Sequence, residues 1–310
     1  MSAVVYHYLR NKCNINKGIH PIDWYTFTKQ IDYLKQKKST LYLSDNLEEF
    51  LETYISDINK KKYLITFDDG LKEHFEAAKL LKLKNIKGIF SIIGCTIFEK
   101  KIPLVHKLHW LRSILKPNIF RKELENVLGR TLISEGDIVK KAKNMHIHDD
   151  EETATLKYNL NFIIDYYELD SATSIIIKNY IESEELFCKK YFLSIDEIIN
   201  MNKMGHEIAW HTNFHIPMTK LNNQEILDDL NLGFDFLNRI NKNNKKHLCY
   251  PYGRLDAIPL KAMEKIISTN FSYGWTLDNI STKFMPKNIQ NMLLQRITTN
   301  ELFKNIDHLK

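Results

Sequence analysis

Short apolar runs alternate with stretches of helical spacing along most of this chain, and that alternation limits the possible folds more than any single motif does. Ala3 to Tyr8 reads as a buried strand. Ile22 to Lys37 then repeats apolar residues at helical spacing through Trp24, Phe27, Ile31 and Leu34. Tyr63 to Phe67 is a second strand, followed by a helix marked by Leu71, Phe75, Ala78 and Leu81. Five further runs read as strands: Gly88 to Ile93, Glu207 to Trp210, His247 to Tyr250, Phe271 to Trp275 and Leu293 to Ile297. Helices fall between them, at Ile226, Leu230, Phe234 and Leu237 and again at Ile258 to Ile267, and a terminal helix closes the chain. Strand–helix repetition of this kind implies a parallel sheet. The predicted class is α/β, a distorted seven-stranded (β/α) barrel, in which chemistry gathers at the carboxyl ends of the strands.

From residue 100 to 190 the strand signals fade. Helical, charge-rich segments replace them, with Asp149-Asp150-Glu151-Glu152 in the middle. This stretch reads as a helical insertion, placed to act as a lid, within one catalytic domain spanning 1–310. The 310 residues are 44% hydrophobic and 26% charged, enough for a large core, and only 10 glycines and 7 prolines argue against loosely linked domains. The net charge of +6 is spread out, with short runs such as Lys60-Lys61-Lys62 and Lys245-Lys246 that read as solvated surface. Such a surface tolerates an anionic substrate, but no basic cluster interleaved with aromatics argues for nucleic acid. Cys13, Cys95, Cys188 and Cys249 form no C-x-x-C pair, so free thiols in a reducing compartment are expected. Met1 to His7 reads as a core strand rather than a signal peptide, and no apolar stretch approaches about 18 residues, the length of a membrane span. A cytoplasmic location is therefore expected.

Three constellations carry chemistry. Thr66-Phe67-Asp68-Asp69-Gly70 sets two carboxylates at the end of an apolar strand. On a strand they would point apart, but where the backbone turns both can reach one pocket, one to hold a metal and one to act as a base. The alternative is an ordinary helix N-cap followed by a turn. His211-Thr212-Asn213-Phe214-His215 places two imidazoles four residues apart on a turn after Glu207 to Trp210. Two imidazoles and a carboxylate suit zinc or another divalent transition metal, with positions left for water and substrate. The alternative is two unrelated loop histidines. Leu248-Cys249-Tyr250-Pro251-Tyr252-Gly253-Arg254 runs a strand into a tight turn, which can present a backbone N–H and an aromatic wall or be a plain loop.

In this order, on a β/α chain, the three resemble the NodB-type polysaccharide deacetylases, a metal-dependent carbohydrate esterase family. Gly205 to Thr212 resembles the family's strand into its second motif, and Tyr6-His7-Tyr8 its first strand. The resemblance covers about Val4 to Ile93 and Asn200 to Thr299. It implies Asp68 as catalytic base and Asp69, His211 and His215 as ligands of one divalent ion, zinc first, with cobalt, nickel, manganese or iron as alternatives. It implies the backbone N–H of Tyr252 as an oxyanion donor. Tyr250, Pro251, Gly253 and Trp210 are the expected substrate contacts, and Trp24, Tyr252 and Trp275 are further aromatics that could stack on a sugar; Trp210 and Trp275 lie in strands, where a place in the core is the alternative. The expected substrate is an acylated amino sugar, linked to a nucleotide, a lipid or a glycan.

Two departures stand out. The family commonly has Arg where Cys249 stands, pairing with the base; Arg296 could supply that guanidinium from the last strand, or be a surface arginine. The family's late Leu-x-His motif, which carries the general acid, is not evident, and Asp307-His308-Leu309 is a poor match. His7 is one candidate for the acid. His106 and His109, three apart on an expected helix of the insertion, are others, and Trp110 beside them has no assigned place. His146-Ile147-His148-Asp149-Asp150 superficially looks like a metal cluster but reads as a solvated turn. The departures keep open a non-catalytic carbohydrate-binding relative, and, because the same metal centre can cleave esters, a glycan O-deacetylase is a third reading.

Overall fold

Seven strands, each of four to six residues, carry the fold: β1 Ser2–Tyr6, β2 Tyr63–Phe67, β3 Gly88–Ile92, β4 Glu207–Trp210, β5 Lys246–Cys249, β6 Phe271–Thr276 and β7 Leu294–Thr298. The computed structural model describes residues 2–11, 19, 21–56, 62–241, 245–278 and 285–306. Each strand pairs in parallel with the next, and β7 pairs with β1, so the sheet closes into a barrel in sequence order, as the alternation predicts. The chain forms two compact units. The barrel lies in the unit made of Met1–Lys12, Pro21–Lys101 and Cys188–Lys310. The second unit holds Cys13–His20 and Ile102–Phe187.

Side-chain alternation along the strands sorts the barrel's apolar residues into two clusters. Ala3, Leu64, Ile89, Ala209, Cys249, Tyr273, Trp275 and Leu294 come from all seven strands and form one cluster, the inner layer of the barrel. Their neighbours Val4, Ile65, Phe90, Ile208 and Leu248 pack instead with Phe27, Ile31 and Leu34 of the Trp24–Gln36 helix, Ala78 and Leu81 of His74–Leu83, and Ile226 and Leu230 of Asn223–Ile240. Burying each such Leu, Ile or Phe contributes about 1.5–3 kcal/mol. A helix the sequence did not suggest, Leu47–Ser56, sends Leu47, Phe50 and Leu51 into the inner cluster. Thr40 bridges Tyr63 at the start of β2, so this segment closes the amino-terminal end of the barrel. The carboxyl end is left for the site. The helix expected over Ile258 to Ile267 is broken: Pro259 cannot donate a backbone N–H, and short 3-10 turns at Leu255–Ala257 and Leu260–Ala262 precede a helix at Met263–Ser268.

The second unit has no strand among its described residues. Its helices include Leu104–Ile114, Pro117–Leu128, Asp137–Met145, Glu151–Tyr158 and Tyr166–Ile177. They bury Leu111, Phe120, Leu124, Ala154, Leu169, Ala172 and Ile176. Pro117 starts its helix where a missing N–H costs nothing, and Gly129, at φ 66°, ends it.

Candidate active site

The inner columns of the barrel lead directly to the site. Counting by two from the inner layer passes from Leu64 through Thr66 to Asp68, from Ala209 to His211, and from Leu294 to Arg296. The turns above the strands then use backbone conformations that L-residues rarely adopt. Of eight non-glycine residues with positive φ among those described, four are motif residues: Asp69 (77°), Thr212 (59°), His215 (56°) and Tyr252 (63°). Each such residue costs on the order of 1 kcal/mol or more, and backbone strain of this kind collects at functional sites. At Asp69 the turn is what brings the second carboxylate of the pair toward the same pocket as the first.

Asp69, His211 and His215 converge. An Oδ1 of Asp69 lies 3.5 Å from His211 Nε2 and 3.7 Å from His215 Nε2, and all three residues are buried. His211 Nδ1 donates to the Cys249 carbonyl at 2.8 Å, which fixes the tautomer and turns Nε2 toward the carboxylates. The Thr212 hydroxyl accepts the His215 backbone N–H at 3.1 Å, tightening the loop. The His215 ring meets the His211 ring at 4.7 Å and the Tyr252 ring at 4.9 Å. Donors about 2.0–2.2 Å from a tetrahedral ion stand about 3.4 Å apart. One carboxylate oxygen and two imidazole nitrogens at this spacing therefore fit a single divalent ion. Charge agrees with the geometry. Burial pushes the His211 imidazole down, but Cys249, Asp68 and Asp69 hold it well above its ordinary range, so the pocket favours a positive charge at this point. Asp68, His211 and Cys249 also bring donor atoms within 4.8 Å of one another. That set suits an ion less well, because Arg296 already occupies both oxygens of Asp68.

Asp68 is gripped by Arg296 through two parallel contacts, Nη1 to Oδ1 and Nη2 to Oδ2, both 2.7 Å, with the arginine fully buried. The guanidinium stands where the β5 position holds Cys249 instead. The Cys249 thiol donates to Asp68 Oδ1 at 3.2 Å, and its small volume leaves room for the side chain arriving from β7. Burial alone would raise the Asp68 pKa, but Arg296, then His211 and His7, hold its carboxyl well below the usual carboxylate range. His7 Nε2 lies 3.9 Å from Asp68 Oδ2.

Other expected contacts lie elsewhere. Trp210, one residue before His211 on the strand, points the opposite way, into the helix layer, and is fully buried. A Cβ at Gly94 would fall 2.2 Å from its ring and one at Gly233 2.5 Å, so the ring is packed between two glycines and offers no face to a sugar. Tyr250, opposite in parity to Cys249, is also fully buried, its hydroxyl against the Met263 sulfur at 3.9 Å. Burial thus removes Trp210 and Tyr250 from the expected wall. Trp275 lies in the inner layer, donating to His247 at 3.2 Å, and Trp24 packs edge-on to Phe27. Tyr252 is the exposed aromatic of the Pro-Tyr turn, and Pro251 is buried. Gly253, at φ 61°, has a structural reason to be glycine: a Cβ there would meet the Leu277 backbone N at 2.8 Å. In the helical unit, the His106 and His109 rings meet edge to face at 5.9 Å and Trp110 packs on Phe187. His146 faces Asp149, which Lys157 holds at 2.5 Å, and the stretch makes no metal-type group among the described residues. Asp307-His308-Leu309 and Cys13 lie outside the described residues.

One residue of the site's support had no motif to announce it. Asp229, half-buried on the Asn223–Ile240 helix, accepts from Trp210 Nε1 and from the Asn213 backbone N–H, both at 2.7 Å. Asn213 in turn donates to Glu99 at 3.0 Å. Asp229 thereby ties the end of β4 to the loop between the two site histidines. Burial raises its pKa to about 6, with Glu99 adding to the rise and the two N–H donors opposing it. The available signal was position: Ile226, Asp229, Leu230, Gly233 and Leu237 share one helix face, and an acid on an apolar face needs a partner.

Residues 157–270 match the family model described as polysaccharide deacetylase. The matched segment holds His211, His215 and the Pro251-Tyr252 turn. No curated protein sequence matches the chain. Among solved structures, the Streptococcus pyogenes deacetylase PplD in complex with acetate is similar, at 13% identity and TM-score 0.54, over 96% of this chain and 91% of that one. A polysaccharide deacetylase from Bacillus cereus is similar at 16% identity and TM-score 0.52, over 100% of this chain and 68% of that one. At these identities the two structures attest the fold. Over residues 157–270 the chain is similar to the polysaccharide deacetylases, and its closed seven-stranded parallel barrel agrees in fold with the solved deacetylases it resembles.

Proposed function

We propose that this chain is a metal-dependent deacetylase that removes an N-acetyl or N-formyl group from an amino sugar belonging to a surface glycan or its precursor. The observation that carries this reading is the convergence of Asp69, His211 and His215 beside an Asp68 that Arg296 keeps ionised. A divalent ion held by those three residues, zinc by preference for the nitrogen and oxygen donors, would supply Lewis-acid polarisation of the acyl oxygen and a more acidic water. Asp68 takes the proton of the attacking water. Arg296 holds both of its oxygens and so fixes the carboxylate's orientation. The Tyr252 backbone N–H donates to the oxyanion of the tetrahedral intermediate. The non-catalytic reading drew its force from the missing arginine and the missing late histidine; Arg296 on the Asp68 carboxylate answers the first of these. A cytoplasmic location draws support from Cys95, Cys188 and Cys249, which are buried and unbridged. Among the described residues no helix is long and apolar enough to cross a membrane.

The test is release of acetate or formate from a panel of acylated nucleotide sugars and amino-sugar oligomers, with Asp68→Asn beside wild type. The expected result is turnover by wild type, loss of at least about 100-fold in the variant, and unchanged metal content. Full turnover by Asp68→Asn would remove Asp68 from the mechanism.

A further inference from the structure

We infer that Arg10 forms an anion-binding site at the carboxyl end of the barrel, one that takes a phosphoryl or carboxylate group carried by the acylated amino sugar. The inference rests on the deacetylase reading above only in that such a sugar enters the pocket, and it narrows that sugar to an anionic class. Three chain segments build the site. Arg10 follows β1, and its backbone N–H donates to the Ile22 carbonyl at 3.1 Å. Glu73 lies on the turn after β2, four residues beyond Asp69. Tyr191 is joined to that turn: its carbonyl accepts the Lys72 N–H at 2.9 Å, beside a bridge from Leu71 to Phe192.

Side chains then fix one orientation of the guanidinium. Arg10 Nε donates to Glu73 Oε1 at 2.9 Å. The guanidinium carbon lies over the Tyr8 ring at 4.8 Å and over the Tyr191 ring at 5.6 Å. The edge that remains carries Nη1 and Nη2, and among the described residues neither has a hydrogen-bond partner. The Arg10 side chain is 27% exposed, so a ligand can reach it. Arg296, by contrast, commits both Nη atoms to Asp68. A held arginine with this edge free matches two oxygens of a phosphoryl or carboxylate group, a bidentate contact that an ammonium cannot make.

Electrostatics put the group beside the catalytic turn and leave it positive. Burial and then Asp69 push the Tyr8 hydroxyl well above its ordinary range while Arg10 pulls it back, so this ring feels both charges. Lys190 lies over the Tyr191 ring at 5.2 Å, which brings a second cation to the spot. Glu73 offsets one of the two. The net charge of +6 on the whole chain favours the approach of an anion.

Three N-acetylated probes test the site: UDP-N-acetylglucosamine, which carries phosphoryl groups, a hyaluronan tetrasaccharide, which carries carboxylates, and neutral N,N′-diacetylchitobiose. Binding of each is measured by isothermal titration calorimetry on the metal-loaded protein, with acetate release assayed beside it. The proteins are wild type, Arg10→Gln/Glu73→Gln, which removes the cation without stranding Glu73, and Arg10→Lys. Wild type is expected to bind one anionic probe at least about tenfold more tightly than the neutral probe, and less so as salt rises. The double variant should bind that anionic probe about 10- to 100-fold more weakly and so lose the preference. Arg10→Lys, which keeps the charge but not the fork, should fall between. Preference for the nucleotide sugar would assign the group as phosphoryl, and preference for the tetrasaccharide as carboxylate. Equal affinity of wild type for all three probes, or a preference that survives in the double variant, would overturn the site. Equal weakening of all three probes in the double variant would overturn it too, because a brace of the fold has no selectivity for charge. Selective binding that depends on Arg10, with acetate released from none of the probes, would support the site and count against the deacetylase reading instead.

Discussion

Asp68 and Arg296 in the barrel are 3% and 1% exposed and joined by two contacts of 2.7 Å; Arg130 and Glu168 in the helical unit are joined at 2.5 Å but are 49% and 39% exposed. Both are arginine–carboxylate pairs, yet their physics differs. Water screens the second pair and would solvate either partner alone. The first pair sits in a place where each charge depends on the other, and an apolar pair of the same volume would fold at least as well. The same contrast runs through the two units. Barrel ionisable groups such as the buried His211 and the half-buried Asp229 are strongly shifted, while the helical unit's Lys107 pairs with an Asp170 that reaches solvent. Charge kept where it costs stability marks the unit that does chemistry.

The contrast is broken most directly at Arg296. Arg296→Leu leaves Asp68 buried without its partner, and urea denaturation is expected to show a loss of about 3–5 kcal/mol. A loss below about 1 kcal/mol would mean that water reaches Asp68 and that the two pairs are alike. A smaller effect is expected from Asp229 and depends on pH. Its folded pKa, about 6, lies above the unfolded value of 3.8. The folded state therefore binds the proton more tightly in that window, and the stabilisation is full below about pH 4 and lost as pH rises through about 6. The span corresponds to something on the order of 3 kcal/mol at most. Subtracting the stability profile of Asp229→Asn from that of wild type should give a difference that falls between pH 4 and 6. A flat difference would mean that the Asp229 carboxyl holds its proton no more tightly in the folded state than in the unfolded chain. The smallest effect is expected in the helical unit, where Arg130→Ala should shift unfolding by no more than about 1 kcal/mol. A shift of several kcal/mol there would erase the distinction between the units.

Much of the barrel was legible because its strands are continuous apolar runs and its helices carry strong period. The turns at Asp68-Asp69 and His211 to His215 were legible too, since carboxylates and imidazoles at strand ends are chemically conspicuous. A parity count would have kept Tyr250 out of the expected wall and decided Trp210 for the core: if His211 and Cys249 face inward, their strand neighbours cannot. Arg296 was visible as a candidate, but only packing shows that its guanidinium crosses from β7 to Asp68 in the space that Cys249 leaves. Leu47–Ser56 escaped notice because its burial depends on the open end of a barrel, a tertiary feature no local window contains. The 102–187 stretch yields helices and little else, because its side chains pack one another without a recurring motif.

The central claim is that Asp69, His211 and His215 hold one catalytic ion. Elemental mass spectrometry on purified wild type, Asp69→Ala and His211→Ala tests it most directly. The account expects about one divalent ion per wild-type chain and loss of it in both variants. No bound metal in wild type after reconstitution with zinc or cobalt, or full retention in both variants, would contradict it.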